Sequence, residues 1–150
     1  VAAAVVWVMA VGLIAGGIAF GFGSLPTLSG TTLSAGAAVL RIVLAGGYVV
    51  CGMAGLAALG LFISTLTTSG VGAAAAAVAL AIASQIVDGL NALHAVHPYL
   101  ISHGWFAFVD LFRSPVDWHG MIQGLLLDGA YAAIFLGSAL VAFNRKDVVS

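Results

Sequence analysis

Residues 42–87 read IVLAGGYVVCGMAGLAALGLFISTLTTSGVGAAAAAVALAIASQIV, 46 positions between Arg41 and Asp88 without a charged side chain. Drawn out as one helix this run measures about 69 Å, more than twice the roughly 30 Å of a bilayer's hydrocarbon core, so it has to fold back on itself. The polar cluster Ser64-Thr65-Leu66-Thr67-Thr68-Ser69-Gly70 supplies the break. The run therefore predicts one span at about 37–63, a turn, and a second span at about 71–87.

The rest of the chain is read outward from this pair. Val1–Phe20 is again free of charge and, at about 30 Å of helix, matches a bilayer core. Gly21, Gly23, Pro26, Ser29 and Gly30 interrupt it, and Ser29–Ser34 reads as a loop. On the other side, Asp88–Gly120 holds three of the five carboxylates and all four histidines, with Trp105, Trp118, Pro98 and Pro115. Its apolar stretches, such as Leu100–Val109, are too short to cross, and they suit interfacial or re-entrant helices with an aromatic belt. Met121–Phe143 is the last span, closed by Asn144-Arg145-Lys146-Asp147. The fold class is all-α: a polytopic membrane protein of four transmembrane helices, with a re-entrant or interfacial helical element before the last.

Composition agrees. The chain is 63% hydrophobic and 6% charged, with a mean hydropathy of +1.21, whereas a soluble domain carries about 25% charged residues. A net charge of −1 leaves no basic stripe for nucleic acid. Cys51 is the single cysteine, so no internal disulfide forms, and Val49, Val50 and Met53 around it predict a buried thiol. Lys and Arg counts do not orient the chain: Arg41 and Arg113 stand on one side, Arg145 and Lys146 on the other. Gly12-x-x-x-Gly16, Gly17-x-x-x-Gly21 and Gly120-x-x-x-Gly124, with Ala73 and Ala77, are candidate helix-packing faces.

Candidate chemistry is sparse. His94-x-x-His97 has metal-ligand spacing, with His103 and His119 as further donors, but no HExxH, CxxC or adjacent carboxylate accompanies it. Solvated or hydrogen-bonded loop histidines are the favoured reading. Gly21-Phe-Gly23-Ser24 is not a nucleophile elbow, and no span offers a serine a second buried polar partner, which argues against an intramembrane hydrolase. No GxxxxGK[ST] loop is present, so ATP and magnesium have no site in this chain. Asp128 lies inside the last span with Gln123 nearby. These two are the candidates for a substrate pathway or proton contact. The favoured alternative makes Asp128 an outer-third residue that tilts to the interface or bonds the re-entrant segment.

Leu59-Gly60-Leu61-Phe62-Ile63-Ser64-Thr65-Leu66-Thr67 followed by a small-residue helix, Arg113-x-Pro115 with Trp118, and a last span with Tyr131 ending Phe143-Asn-Arg145-Lys146-Asp147 resemble the C-terminal part of the type-2 ABC transporter permeases. The resemblance covers nearly the whole chain, through apolar pattern and turn more than through invariant chemistry. It implies a six-span permease of which this chain corresponds to the last four spans, so that residues 1–150 form a single transmembrane domain. It also implies a cell-membrane location with a cytoplasmic C-terminus, a second permease subunit, and a separate ABC ATPase that binds ATP and magnesium. On that reading Ser64, Thr65, Thr67, Thr68 and Ser69, with the tail Asn144–Ser150, face the ATPase. The chain itself is a transport subunit without catalytic activity. The alternative expectation is a membrane scaffold or assembly factor, metal-binding through His94 and His97.

Overall fold

A computed structural model describes residues 2–21 and 23–147. Among the described residues four helices are long and apolar enough to cross a membrane: α1 (Ala2–Phe20), α2 (Ala35–Leu66), α3 (Gly70–Asp88) and α4 (His119–Asp147). The chain is thus a polytopic α-helical membrane protein, as the hydropathy pattern predicts. Large apolar side chains such as Ile14, Val43, Leu44, Ile82, Leu126 and Ile134 are exposed on all four helices. An outer surface of this kind is stable against lipid tails and not against water.

Local chemistry sets the helix ends. Gly21 has φ of +78° and its N–H bonds back to the Gly17 carbonyl at 2.9 Å, which stops α1. Ser34 and Ser69 cap α2 and α3, their hydroxyls accepting from the N–H groups of Ala37 and Gly72. The turn between α2 and α3 is shorter than the polar cluster suggests. Only Thr67–Ser69 leave the helix, and Ser64 and Thr65 belong to the last turn of α2. Three residues of connection make the two helices antiparallel neighbours. The loop after α1 contains a small hairpin, β1 (Leu25–Pro26) against β2 (Thr32–Leu33), turned at Gly30 with φ of +79°.

Helix α2 is the central element, packed by α1, α3 and α4. Its partners approach closely because the contacts are small: Ala73, Ala77 and Ala81 of α3 are buried, and Gly52, Gly55 and Ala58 are buried on α2. A Cβ at Gly55 would lie 3.3 Å from the backbone oxygen of Asp128, so α4 passes α2 almost backbone to backbone there. Further along, Phe135 stacks on both Phe62 and Tyr131, with ring centroids 6.1 and 5.7 Å away. Of the glycine pairs, Gly120 and Gly124 make contacts, whereas a Cβ at Gly12 or Gly16 would meet nothing within 4 Å. Cys51 corrects the expectation of a buried thiol. It is exposed, because its apolar neighbours form part of the lipid-facing surface.

Between α3 and α4 the chain forms two 3-10 stretches, Asn91–Tyr99 and Ala107–Phe112. The part from 100 to 112 is a wedge that re-enters between the spanning helices. Gly104 meets Gly124, five residues or about 7 Å below the start of α4. Leu111 is 1% exposed and packs with Ala45, Tyr48 and Met121. Trp118 stays exposed at the head of α4, in keeping with an aromatic belt, but Trp105 turns inward and its indole nitrogen is buried.

This topology puts the Thr67–Ser69 turn and the 91–99 stretch on opposite faces of the membrane. In a Cys51→Ala background, Thr67→Cys and Val96→Cys should be labelled by an impermeant maleimide from opposite sides of sealed vesicles. Labelling of both from one side would refute the antiparallel α2–α3 pair.

Candidate functional site

The wedge and the α2–α4 crossing enclose the one carboxylate carried inside a span. Met121, Gly124 and Asp128 recur at helical spacing on α4 and are all buried, which forms the stripe that faces α2 and the wedge. Asp128 is 3% exposed and stands nine residues, about 13 Å, into α4. A Cβ at Gly52 would lie 3.2 Å from its Oδ2 and 3.8 Å from Cδ1 of Trp105, and one at Gly55 would lie 3.4 Å from its Oδ1. Any side chain at Gly52 or Gly55 would therefore press on the carboxylate.

Neither oxygen of Asp128 makes a hydrogen bond of good geometry, and the buried Nε1 of Trp105 makes none either. The indole N–H is nevertheless a donor beside the carboxyl, at the margin of hydrogen-bonding geometry. No basic side chain among the described residues pairs with Asp128. A carboxylate at a helix centre costs about 2.5–3.5 kcal/mol on insertion scales. Here no ion pair offsets that cost. Asp128 is buried rather than tilted to the membrane surface, and it sits beside Trp105 of the wedge, the segment it was expected to bond. Gln123 does not join it. Five residues apart, the two lie about 140° apart around the helix, and Gln123 is exposed.

Several elements hold the wedge over this carboxylate. Tyr48 Oη donates to the Gly104 carbonyl at 2.6 Å. Ser84 and Ser102 share a buried hydroxyl–hydroxyl bond of 2.7 Å, and Gln85 Nε2 donates to the Ser102 carbonyl at 3.3 Å. Ser84 is the buried polar partner for a serine that no span was expected to carry, and the group it meets is another hydroxyl rather than a base. Arg41 Nη1 donates to the carbonyls of Leu111 (2.6 Å) and Arg113 (2.8 Å). From the hairpin, the Leu28 N–H reaches the Phe112 carbonyl and Ser29 Oγ accepts from the Ser114 N–H, both at 3.0 Å. Tyr131 Oη donates to the Tyr99 carbonyl. In the sequence Arg41 enters only as a topology charge, and Tyr48, Ser84, Ser102 and Trp105 carry no motif. The available signal was Arg41 itself, a charge one to two turns inside a long span.

The histidines form a separate cluster. Asp88 at the end of α3 accepts from His103 Nδ1 at 2.6 Å and stands 3.8 Å from His97 Nδ1, while His94 meets His97 edge to face. His97 and His103 are hydrogen-bonded loop residues, the carboxylate beside them comes from α3 rather than from their own segment, and His119 lies apart as the first residue of α4. No group of three or more ligands among the described residues is arranged to hold a metal ion. The turn candidates lie at the opposite end. Thr67, Thr68 and Ser69 are exposed, and Thr65 Oγ1 donates to the Phe62 carbonyl at 2.7 Å. Of the tail 144–150, residues 148–150 and the Lys146 and Asp147 side chains lie outside the description.

Comparison of the chain with protein-family models, with curated proteins and with solved structures returns no match. The class that the fold defines, a four-span membrane protein with a re-entrant wedge over a buried carboxylate, therefore rests on its own geometry.

Three substitutions separate these roles by thermal melting of the purified protein. Gly124→Val pushes a branched side chain into Tyr48 and Gly104 and should cost about 3 kcal/mol through overpacking. Tyr48→Phe removes one of the two donors to the Gly104 carbonyl, which keeps the Ala107 N–H at 3.0 Å, and should cost about 0.5–1.5 kcal/mol. Asp128→Asn removes a charge that no partner balances, so its melting temperature should equal or exceed that of the wild type. A fall as large as that of Gly124→Val would mean that the carboxylate is structural. For the histidines, His94→Ala with His97→Ala should melt as the wild type does, with and without added zinc. A zinc-dependent rise in the wild type, lost in the double variant, would establish a metal site.

Proposed function

We propose that this chain is the C-terminal four-span portion of a permease subunit of an ATP-driven exporter of the type-2 ABC class. The observation that carries the reading is the asymmetry of the two ends. One end is sealed by the wedge at 100–112, which is tied to α2 and α3 by side-chain hydrogen bonds, while Tyr131 of α4 bonds the Tyr99 carbonyl just before it. The other carries a three-residue exposed polar turn, Thr67–Ser69, and the C-terminal end of α4. A permease needs such a difference, because one face must close against the outside while the other presents a compact surface to the motor subunit. The residues that resemble the family support it further. Leu59–Thr67 form the end of α2 and its turn, and Arg113, Pro115 and Trp118 lie in the exit from the wedge.

In this reading the wedge faces outward and the C-terminus is cytoplasmic, in the cell membrane. Two permeases enclose the pathway, and a separate ATPase supplies the free energy. Phosphate binding needs a glycine-rich backbone cradle and a lysine at its helix start. The one lysine of these residues, Lys146, follows a spanning helix rather than a glycine-rich turn, so in this reading ATP and magnesium belong to the partner. Alternation between inward- and outward-open states is a packing switch biased by nucleotide on that partner. Thr67, Thr68 and Ser69 are the contact residues proposed for it, with Ser64 and Thr65 behind them.

The test is purification of the complete protein from its native membrane under mild detergent, followed by reconstitution. A P-loop ATPase should co-elute, and export from vesicles should require both subunits and ATP. Thr67→Trp with Thr68→Trp should uncouple hydrolysis from export without unfolding the permease. Export by the permease alone, driven by a proton gradient and abolished by Asp128→Asn, would replace this reading with a secondary transporter.

A further inference from the structure

Trp105 belongs to two environments. On one side it covers Gly52 next to the Asp128 carboxylate. On the other it lines a groove of about 470 Å³ between α2 and α3, bordered by Leu56, Val78, Ile82, Gln85 and Ile86. That volume falls in the range of about 300–1,000 Å³ typical of small-molecule sites. The groove opens outward, since Val78, Ile82 and Ile86 are all more than half exposed, so a ligand can enter from the hydrocarbon layer.

The electron-rich groups at its inner end share one sign. The Trp105 indole is part of the lining, and the π face of an indole attracts cations. Gln85 has committed its amide nitrogen to the Ser102 carbonyl, which leaves its carbonyl oxygen as an acceptor. Behind the indole stands a buried carboxylate with no counter-charge among the described residues. No basic residue lines the groove. The indole nitrogen makes no hydrogen bond of good geometry, and the ring stands between the groove and the carboxylate.

We propose that the α2–α3 groove and Asp128 form one site for a lipophilic cation, whose apolar body lies in the groove and whose positive charge is recognised by Trp105 and neutralised by Asp128. This deepens the permease reading, on which it rests for the idea that the ligand is cargo, by naming the substrate class as amphipathic cations. A neutral lipid chain occupies the same groove without gaining anything from the carboxylate. Anionic amphiphiles are repelled by it.

The experiment uses the complete protein in phosphatidylcholine nanodiscs with rhodamine 6G, a monocationic amphiphile, followed by fluorescence anisotropy against empty nanodiscs. Saturable binding should appear, and Asp128→Asn should raise Kd at least tenfold. Val78→Trp fills the groove from a lipid-exposed position, far from the wedge anchors, and should also raise Kd at least tenfold. Trp105→Phe keeps an aromatic face and should stay within threefold of wild type. A neutral dye of similar size should not distinguish wild type from Asp128→Asn. Wild-type affinity in both Asp128→Asn and Val78→Trp overturns the proposal, and so does loss in Asp128→Asn alone, because the groove would then not be the seat. The two readings fail separately. ATP-driven export without rhodamine binding sinks only the cation site, whereas rhodamine binding with no ATPase partner sinks only the exporter.

Discussion

Backbone carried below a membrane surface has no water to bond to, and residues 100–112 enter the protein without the internal hydrogen bonding of a full α-helix. The rest of the structure is arranged around that constraint. Carbonyls at Ser102, Gly104, Leu111, Phe112 and Arg113 are each met by a donor from Gln85, Tyr48, Arg41 or Leu28. The donors come from α2, α3 and the hairpin, so the wedge joins elements whose closest approaches are otherwise made by small residues. Its close contact with α4 is possible because Gly104 and Gly124 both lack side chains.

The position of Asp128 follows from the same packing. Helix α4 can pass α2 at backbone distance only where α2 offers Gly52 and Gly55, and the residue at the crossing is a carboxylate. A leucine or alanine there would pack without an electrostatic cost. Holding an unpaired acid at that point lowers stability, and departures of this kind concentrate at functional sites. The histidine cluster is different in character. It lies in the partly exposed loop, where Asp88 at the end of α3 bonds His103 and stands 3.8 Å from His97.

The two ends of the molecule therefore have different mechanical properties. Near the wedge, charged and polar anchors from many elements have to move together, which favours two discrete arrangements over gradual deformation. At the Thr67–Ser69 turn the connection is short and capped by Ser69, so a push there is transmitted along α2 and α3 as rigid rods. Helix α2, at 32 residues, spans about 48 Å and reaches from one end to the other. It is the natural lever between them.

The amino-acid sequence by itself determined the four spans, the fold-back at the 64–70 cluster and the segment that fails to cross, because helix length against bilayer thickness and the location of charge are local properties of the chain. It also singled out Asp128 as the acid inside a span. Only the tertiary structure decided what surrounds that acid. That Gln123 turns away is helical geometry, but that Trp105 turns inward, that Gly52 and Gly55 make room, and that Ser84 finds Ser102 depend on contacts between residues far apart in sequence. Cys51 shows the limit from the other side. In a membrane protein an apolar neighbourhood faces lipid as readily as protein, so hydrophobicity alone does not say which side of a helix is buried.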